Sequence, residues 1–155
     1  MDRPNKRGGG ITCIYRSAFT IGQFQTKALS FCEYLGLEIW NDGKPCCNLH
    51  AIYHSPRDNQ TFMDQTMEII TSNSDLSASH IFLGDFNIHW NNDHDPFVSS
   101  FKDFLTDLNL IQACNIPTHT QGATRDLIIA NDNAIRIESI LPCDWSDHSL
   151  ISFQI

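Results

Sequence analysis

Asp85 and Asn87 place an acid and an amide two residues apart at the end of a short apolar run, His80-Ile81-Phe82-Leu83-Gly84-Asp85-Phe86-Asn87. Residues two apart share a face of an extended backbone. The spacing therefore predicts both side chains pointing together at a strand's carboxyl end, with Phe86 turned into the core. A second cluster, Ser146-Asp147-His148, sets an acid beside an imidazole just before the last apolar run, Leu150 to Ile155. Two carboxylates and an amide are hard oxygen donors of the kind Mg²⁺ takes, leaving its other positions to water or phosphate oxygens. A cation so held lowers the pKa of a bound water and offsets charge developing on a phosphoryl group. His148 can hydrogen-bond a phosphate or take a proton near neutral pH if a carboxylate fixes its tautomer. Asp126, ahead of Leu127-Ile128-Ile129, is the candidate partner. On residue type alone, Asp85-Phe86-Asn87 fits a turn cap equally well, and Asp126 fits a surface pair with Arg125.

The elements that must position these groups read as alternating strands and helices. Ile11-Thr12-Cys13-Ile14-Tyr15 is a short β-like run, and Phe31 to Trp40 is a strand with apolar groups on both faces. Asn41-Asp42-Gly43-Lys44 then signals a hairpin, with Cys46 to Tyr53 returning. Pro56 to Gln60 is a loop; beyond it Phe62, Met63, Thr66, Met67, Ile69 and Ile70 recur at helical spacing, and that helix ends near Asn73. After the strand through Leu83 and the polar loop Asn91-Asn92-Asp93-His94, Asp95-Pro96 supplies an N-cap with proline in the first turn. Phe97, Phe101, Phe104, Leu105 and Leu108 form the apolar stripe of that second helix. Leu110 to Cys114, Arg125 to Ala130, Ile135 to Leu141 and Leu150 to Ile155 are further strands, the middle two joined through Asn131-Asp132-Asn133. No repeat or linker interrupts the chain, so residues 1–155 read as a single α/β sandwich domain.

A 41% hydrophobic and 18% charged composition is that of a folded protein. The formal charge of −8 excludes a surface that coats nucleic acid through a Lys/Arg excess, but not phosphate held through a bound cation. The six cysteines form no C-x-x-C pair, which argues against a zinc site or a thioredoxin-like motif and predicts free thiols. Cys46 and Cys47 are expected on opposite faces. The polar amino end, without a secretory signal or a membrane-length apolar run, reads as soluble and intracellular. His50 and His54 share a strand face without a third ligand, so packing is the simpler role for both. Trp90 fits either base stacking or loop packing, the latter more simply.

Taken in order, Gly84-Asp85-Phe86-Asn87, Pro117-Thr118-His119, Arg125-Asp126-Leu127-Ile128 and Ser146-Asp147-His148 resemble the carboxyl-terminal signatures of the endonuclease/exonuclease/phosphatase superfamily. The similarity is closer to the apurinic-endonuclease-like domain of non-LTR (LINE-type) retrotransposons. Arg7-Gly8-Gly9-Gly10, Phe31 to Leu35 and Tyr53-His54-Ser55-Pro56 add to it. The resemblance implies a four-layer αββα sandwich that cleaves DNA phosphodiesters with Mg²⁺, or Mn²⁺ in its place. It gives Asp85 the attacking water, Asn87 and Tyr53 the phosphate, and Asp147, with Asp85, the metal. His148 would stabilise the pentacovalent phosphate, its ring oriented by Asp126. It further implies a DNA partner, a reverse transcriptase domain in a full-length element that primes from the 3′-hydroxyl, and a nuclear location.

Two family features have no counterpart in these residues. They are a strand carrying an asparagine and a strand ending in a metal-binding glutamate, both of which precede the glycine-rich opening in the family. Glu33 and Glu38 lie downstream of that opening, in another strand. The expected fold is thus the sandwich without its first strands, and the expected activity is impaired. The alternative is a catalytically inactive retroelement remnant acting as a binding module; a phosphatase of the same superfamily is a third reading. Oligomeric state, target site and the preference for abasic or intact DNA are not set by the sequence.

Overall fold

Asp42 and Gly43, with φ of 48° and 72°, turn the chain between two long antiparallel strands, β2 (Cys32–Asn41) and β3 (Lys44–His54). Left-handed backbone at both central residues is what a two-residue hairpin needs to match strand twist, and Asp-Gly supplies it. β1 (Phe19–Ala28) pairs antiparallel with the other edge of β2. The computed structural model describes residues 10–28, 32–55, 59–73, 79–131 and 135–155. Asp132 and Asn133 of the expected turn after Asn131, much of the loop from Pro56, and Gly8 and Gly9 lie outside these. Two compact units divide the chain, Met1–Gly84 and Asp85–Ile155.

In the first unit β1, β2, β3 and β4 (His80–Asp85) are neighbours in that order. Helix α1 (Asn59–Ser72) buries Phe62, Met63, Thr66, Ile69 and Ile70, the spacing of one helical face, and each apolar side chain so buried contributes roughly 2 kcal/mol. His54 is fully buried and lies flat on Phe62, with ring centroids 3.7 Å apart. Gly84 brings β4 so close to β3 that a Cβ there would stand 1.9 Å from the Ile52 carbonyl oxygen.

Buried polar groups run across this sheet. Tyr34 Oη lies 2.8 Å from His50 Nδ1, and His50 Nε2 lies 2.9 Å from His80 Nδ1, with Phe24 and Phe82 against the His50 ring. The consistent assignment has the tyrosine hydroxyl donating to Nδ1 and Nε2–H donating on to His80. Burial, with His80 adding to it, lowers the His50 pKa from 6.5 to about 3, so the ring is neutral in the fold and protonates first on unfolding. A depressed imidazole pKa means that stability is complete above pH 6.5 and falls as pH drops from there towards 3. The slope approaches about 1.4 kcal/mol per pH unit. Urea unfolding at pH 7.5 and 5.0 should therefore show a loss of about 2 kcal/mol that shrinks in His50→Gln. An equal loss in both proteins would mean that other groups set the pH dependence.

The second unit is built on β6 (Asp126–Asn131), whose residues Leu127, Ile128, Ile129 and Ala130 are all buried. A strand covered on both faces reads as an unbroken apolar run, and this one does. β5 (Leu110–Gln112) pairs antiparallel with it. Helix α2 (Pro96–Asp107) starts as its sequence predicts, with Asp95 accepting a hydrogen bond from the Phe97 amide at 2.9 Å and proline in the first turn. It buries Val98, Phe101 and Leu105. β7 (Arg136–Leu141) and β8 (Leu150–Gln154) form a separate antiparallel pair.

Two local expectations are corrected. Ile11–Tyr15 is not a strand: Ile14 is 92% exposed, and the strand that does form, β1, begins at Phe19. Asn87 does not continue the alternation of β4; its φ of 51° is left-handed. Phe86 is fully buried, as expected, and so are the two helices, the hairpin and the later strands found where the sequence places them. All six cysteines are free; Cys46 is exposed and Cys47 buried.

Candidate active site

β4 delivers Asp85 at its last position, and the chain then folds back on that carboxylate. The Asn87 amide donates to Asp85 Oδ1 at 2.9 Å and its side-chain nitrogen to Oδ2 at 3.2 Å. The two residues therefore act together, through a left-handed turn in place of a shared strand face. The Phe86 amide donates to the Arg125 carbonyl at 3.0 Å, which ties this turn to the start of β6.

Asp126 opens β6 and accepts from His148 Nδ1 at 2.8 Å. That bond puts the ring proton on Nδ1 and directs Nε2 towards Asp85, whose Oδ2 is 3.9 Å away. Thr118 is fully buried beneath the pair. Its hydroxyl oxygen accepts from both the Arg125 and Asp126 amides at 3.0 Å, and its carbonyl accepts from the Ser149 amide at 2.8 Å. One buried threonine thus fixes the backbone on both sides of the Asp126–His148 bond. Arg125 does not pair with Asp126; its guanidinium donates to Gln121 Oε1 at 3.0 Å.

Burial raises the Asp85 pKa above the ordinary carboxylate range, and Asp126 adds to this; the Asn87 amide, His148 and Arg125 oppose it. Asp147, with a side chain 68% exposed, lies 3.1 Å from His119 Nε2, and its carboxyl is lowered first by its own backbone amide and then by His119. Two groups of three side chains that could hold a metal ion share His148, one with Asp85 and Asp126, the other with His119 and Asp147; in each the donor atoms lie within 4.8 Å of one another. Asp85 and Asp147 thus fall in different groups, and neither group includes a glutamate among the described residues. Tyr53 is half-buried in β3 of the first unit, opposite Glu33 of β2. Trp90 packs edge-on against Phe101 with the Lys102 ammonium 4.9 Å from its ring centroid, the packing role its loop position favours.

Sequence reasoning missed what Thr118 and His119 do. Both stand in the Pro117-Thr118-His119 motif, but Arg125, Asp126 and Ser149, which Thr118 binds, and Asp147, which His119 binds, lie 7 to 31 residues away, and no periodicity encodes such contacts.

The described residues form a mixed α/β fold with a multi-strand sheet and two helices, and a carboxylate–imidazole pair stands at its strand ends. The chain belongs to the Endonuclease-reverse transcriptase family, whose model matches residues 47–152. The endonuclease domain of TRAS1, a telomere-specific non-LTR retrotransposon, matches with a TM-score of 0.64 at 15% identity, over 92% of this chain and 71% of that one. The human Nocturnin catalytic domain matches at 0.55 and 17%, over 90% and 61%. A mannosyl-6-phosphatase of Bacteroides thetaiotaomicron matches at 0.56 and 10%, over 90% and 68%. These establish the endonuclease/exonuclease/phosphatase fold. No curated protein matches the chain.

The donor chemistry fits the divalent cation on which enzymes of this fold generally depend. Asp85 and Asp147 offer hard carboxylate oxygens, and Asp147 is open to solvent. No helix among the described residues is long and apolar enough to cross a membrane.

Proposed function

We propose that this chain is the DNA endonuclease domain of a non-LTR retrotransposon and hydrolyses a phosphodiester to leave a 3′-hydroxyl. The observation that carries the reading is the Asp126–His148 bond, with His148 Nε2 turned towards Asp85. Asp85, its pKa raised by burial, is a base closer in strength to the working pH than an exposed aspartate, and it takes the proton of the attacking water. Asn87 holds Asp85 by two hydrogen bonds and presents its amide to the scissile phosphate. His148, oriented by Asp126 through Nδ1–H, would take a proton on Nε2 and donate it as a hydrogen bond to the phosphoryl oxygens, where charge accumulates. Asp147 and Asp85 would hold Mg²⁺, or Mn²⁺ in its place, which would supply charge neutralisation at the phosphate and a more acidic water. In a longer polypeptide, a reverse transcriptase domain would extend the 3′-hydroxyl so made, in the nucleus.

Neither ligand group contains a glutamate among the described residues, which supports slow turnover by these side chains alone. Supercoiled plasmid incubated with the chain and Mg²⁺ or Mn²⁺ should be nicked slowly. The nicking should stop with chelator and fall at least about 100-fold in Asp85→Ala, as loss of a general base requires. Cleavage no faster than Asp85→Ala under every metal condition would replace this reading with that of a catalytically inactive binding module.

A further inference from the structure

We propose that His119 is a positioning residue that holds the Asp147 carboxylate for a divalent cation, acting as a hydrogen-bond donor and not as a metal ligand. The proposal rests on the reading of Asp147 as a metal ligand.

The ring's own hydrogen bonds carry the argument. His119 Nδ1 accepts from the Gln121 backbone amide at 3.1 Å, and a backbone amide can only donate. Nδ1 is therefore unprotonated, and the single proton of a neutral ring is on Nε2, 3.1 Å from Asp147 Oδ2. To ligate a cation through Nε2, the neutral ring would have to move its proton to Nδ1, setting two donors against each other. His119 stands close enough to Asp147 and His148 to make a three-ligand group, but its bonding excludes it from that role.

The surroundings show a ring that is built in and a carboxylate that is not. The His119 side chain is 3% exposed and Asp147 is 68% exposed. The His119 amide donates to Ala123 at 3.0 Å and its carbonyl accepts from Gly122 at 2.9 Å, closing a tight turn. A β-bridge joins His119 to His148, and the Thr120 amide donates to the Asp147 carbonyl at 2.9 Å. The two imidazoles meet at 87° with centroids 5.0 Å apart. A solvent-exposed aspartate samples several rotamers, and the fixed Nε2–H selects one. Partners of this kind behind a metal ligand are typically worth about 10- to 100-fold in metal affinity.

The test measures Mn²⁺ affinity of the full chain from the signal of free Mn²⁺, together with the His119 tautomer in metal-free protein by long-range ¹H–¹⁵N spectra. His119→Phe should weaken Mn²⁺ binding about tenfold, whereas His119→Gln, whose amide nitrogen can still reach Asp147, should stay within about threefold. His119 should be protonated at Nε2. Affinity unchanged in His119→Phe, equal losses in both variants, or a proton on Nδ1 would overturn the positioning role. Should His119→Phe fail to fold, His119→Gln and the tautomer decide alone. Asp147→Ala separates the two levels: if it binds Mn²⁺ as tightly as the parent, or the parent binds none, Asp147 is not a ligand and the positioning role falls with it. Weakened binding in Asp147→Ala with normal binding in His119→Phe overturns the positioning role only.

Discussion

Asp126→Asn is expected to lower the single-turnover nicking rate by roughly 10³- to 10⁴-fold while leaving the far-UV spectrum and melting temperature close to those of the parent. The loss is that of the negative charge behind a ring that must carry a proton on both nitrogens to donate to the phosphate. Asparagine has nearly the shape of aspartate, and the backbone beneath it stays anchored, because the Thr118 hydroxyl binds the residue 126 amide and not its side chain. What changes is the partner of His148 Nδ1, now 2.8 Å from a carboxylate oxygen. An amide can turn its NH₂ to that nitrogen, and the ring proton then moves to Nε2, the atom aimed at Asp85 and the phosphate. A negative charge behind the ring is also lost, so an imidazolium is no longer stabilised at the phosphoryl oxygens. The measurement is the nicking rate across pH 6 to 8.5 with the His148 tautomer read by NMR. A variant within tenfold of the parent would show that Asp126 merely satisfies a buried donor.

The sequence already carried the helices, because their signals are local. Asp95 caps α2 through a bond two residues on, and Phe101 and Leu105 lie four apart on one face. The Asp42-Gly43 turn is likewise encoded in two adjacent residues. β1 was not legible. Its pairing with β2 slips between Gln23 and Gln25, which breaks the period-two pattern, and its aromatic residues Phe19 and Phe24 are 36% and 40% exposed. Ile11 to Tyr15 has the composition of a strand but does not form one, and composition alone does not make a ladder. At the site, residue types and their order along the chain single out Asp85, Asn87, Asp126, Asp147 and His148 as candidates, but not their geometry. The left-handed Asn87, the Thr118 anchor and the His119 donor all depend on contacts made after the chain has folded back on itself.

Gly84→Ala should be the most destabilising single methyl in the first unit, costing more than about 4 kcal/mol and yielding little soluble protein. Two separate penalties coincide there. The φ of 140° is one that side chains other than glycine's rarely adopt, which by itself costs roughly 1 to 3 kcal/mol. The added Cβ would also stand 1.9 Å from the Ile52 carbonyl oxygen and 2.9 Å from its carbon, backbone atoms of β3 that cannot rotate away. Relief requires β4 to separate from β3, and since Gly84 immediately precedes Asp85, that carboxylate would be displaced with it. Gly43→Ala is the control: its φ of 72° is also left-handed, but nothing lies within 4 Å of its new Cβ, so only about 1 kcal/mol of strain is expected. Thermal melts of the two variants beside the parent separate close approach from backbone conformation. Equal shifts would mean that β4 yields easily, and that this glycine serves only to turn the chain.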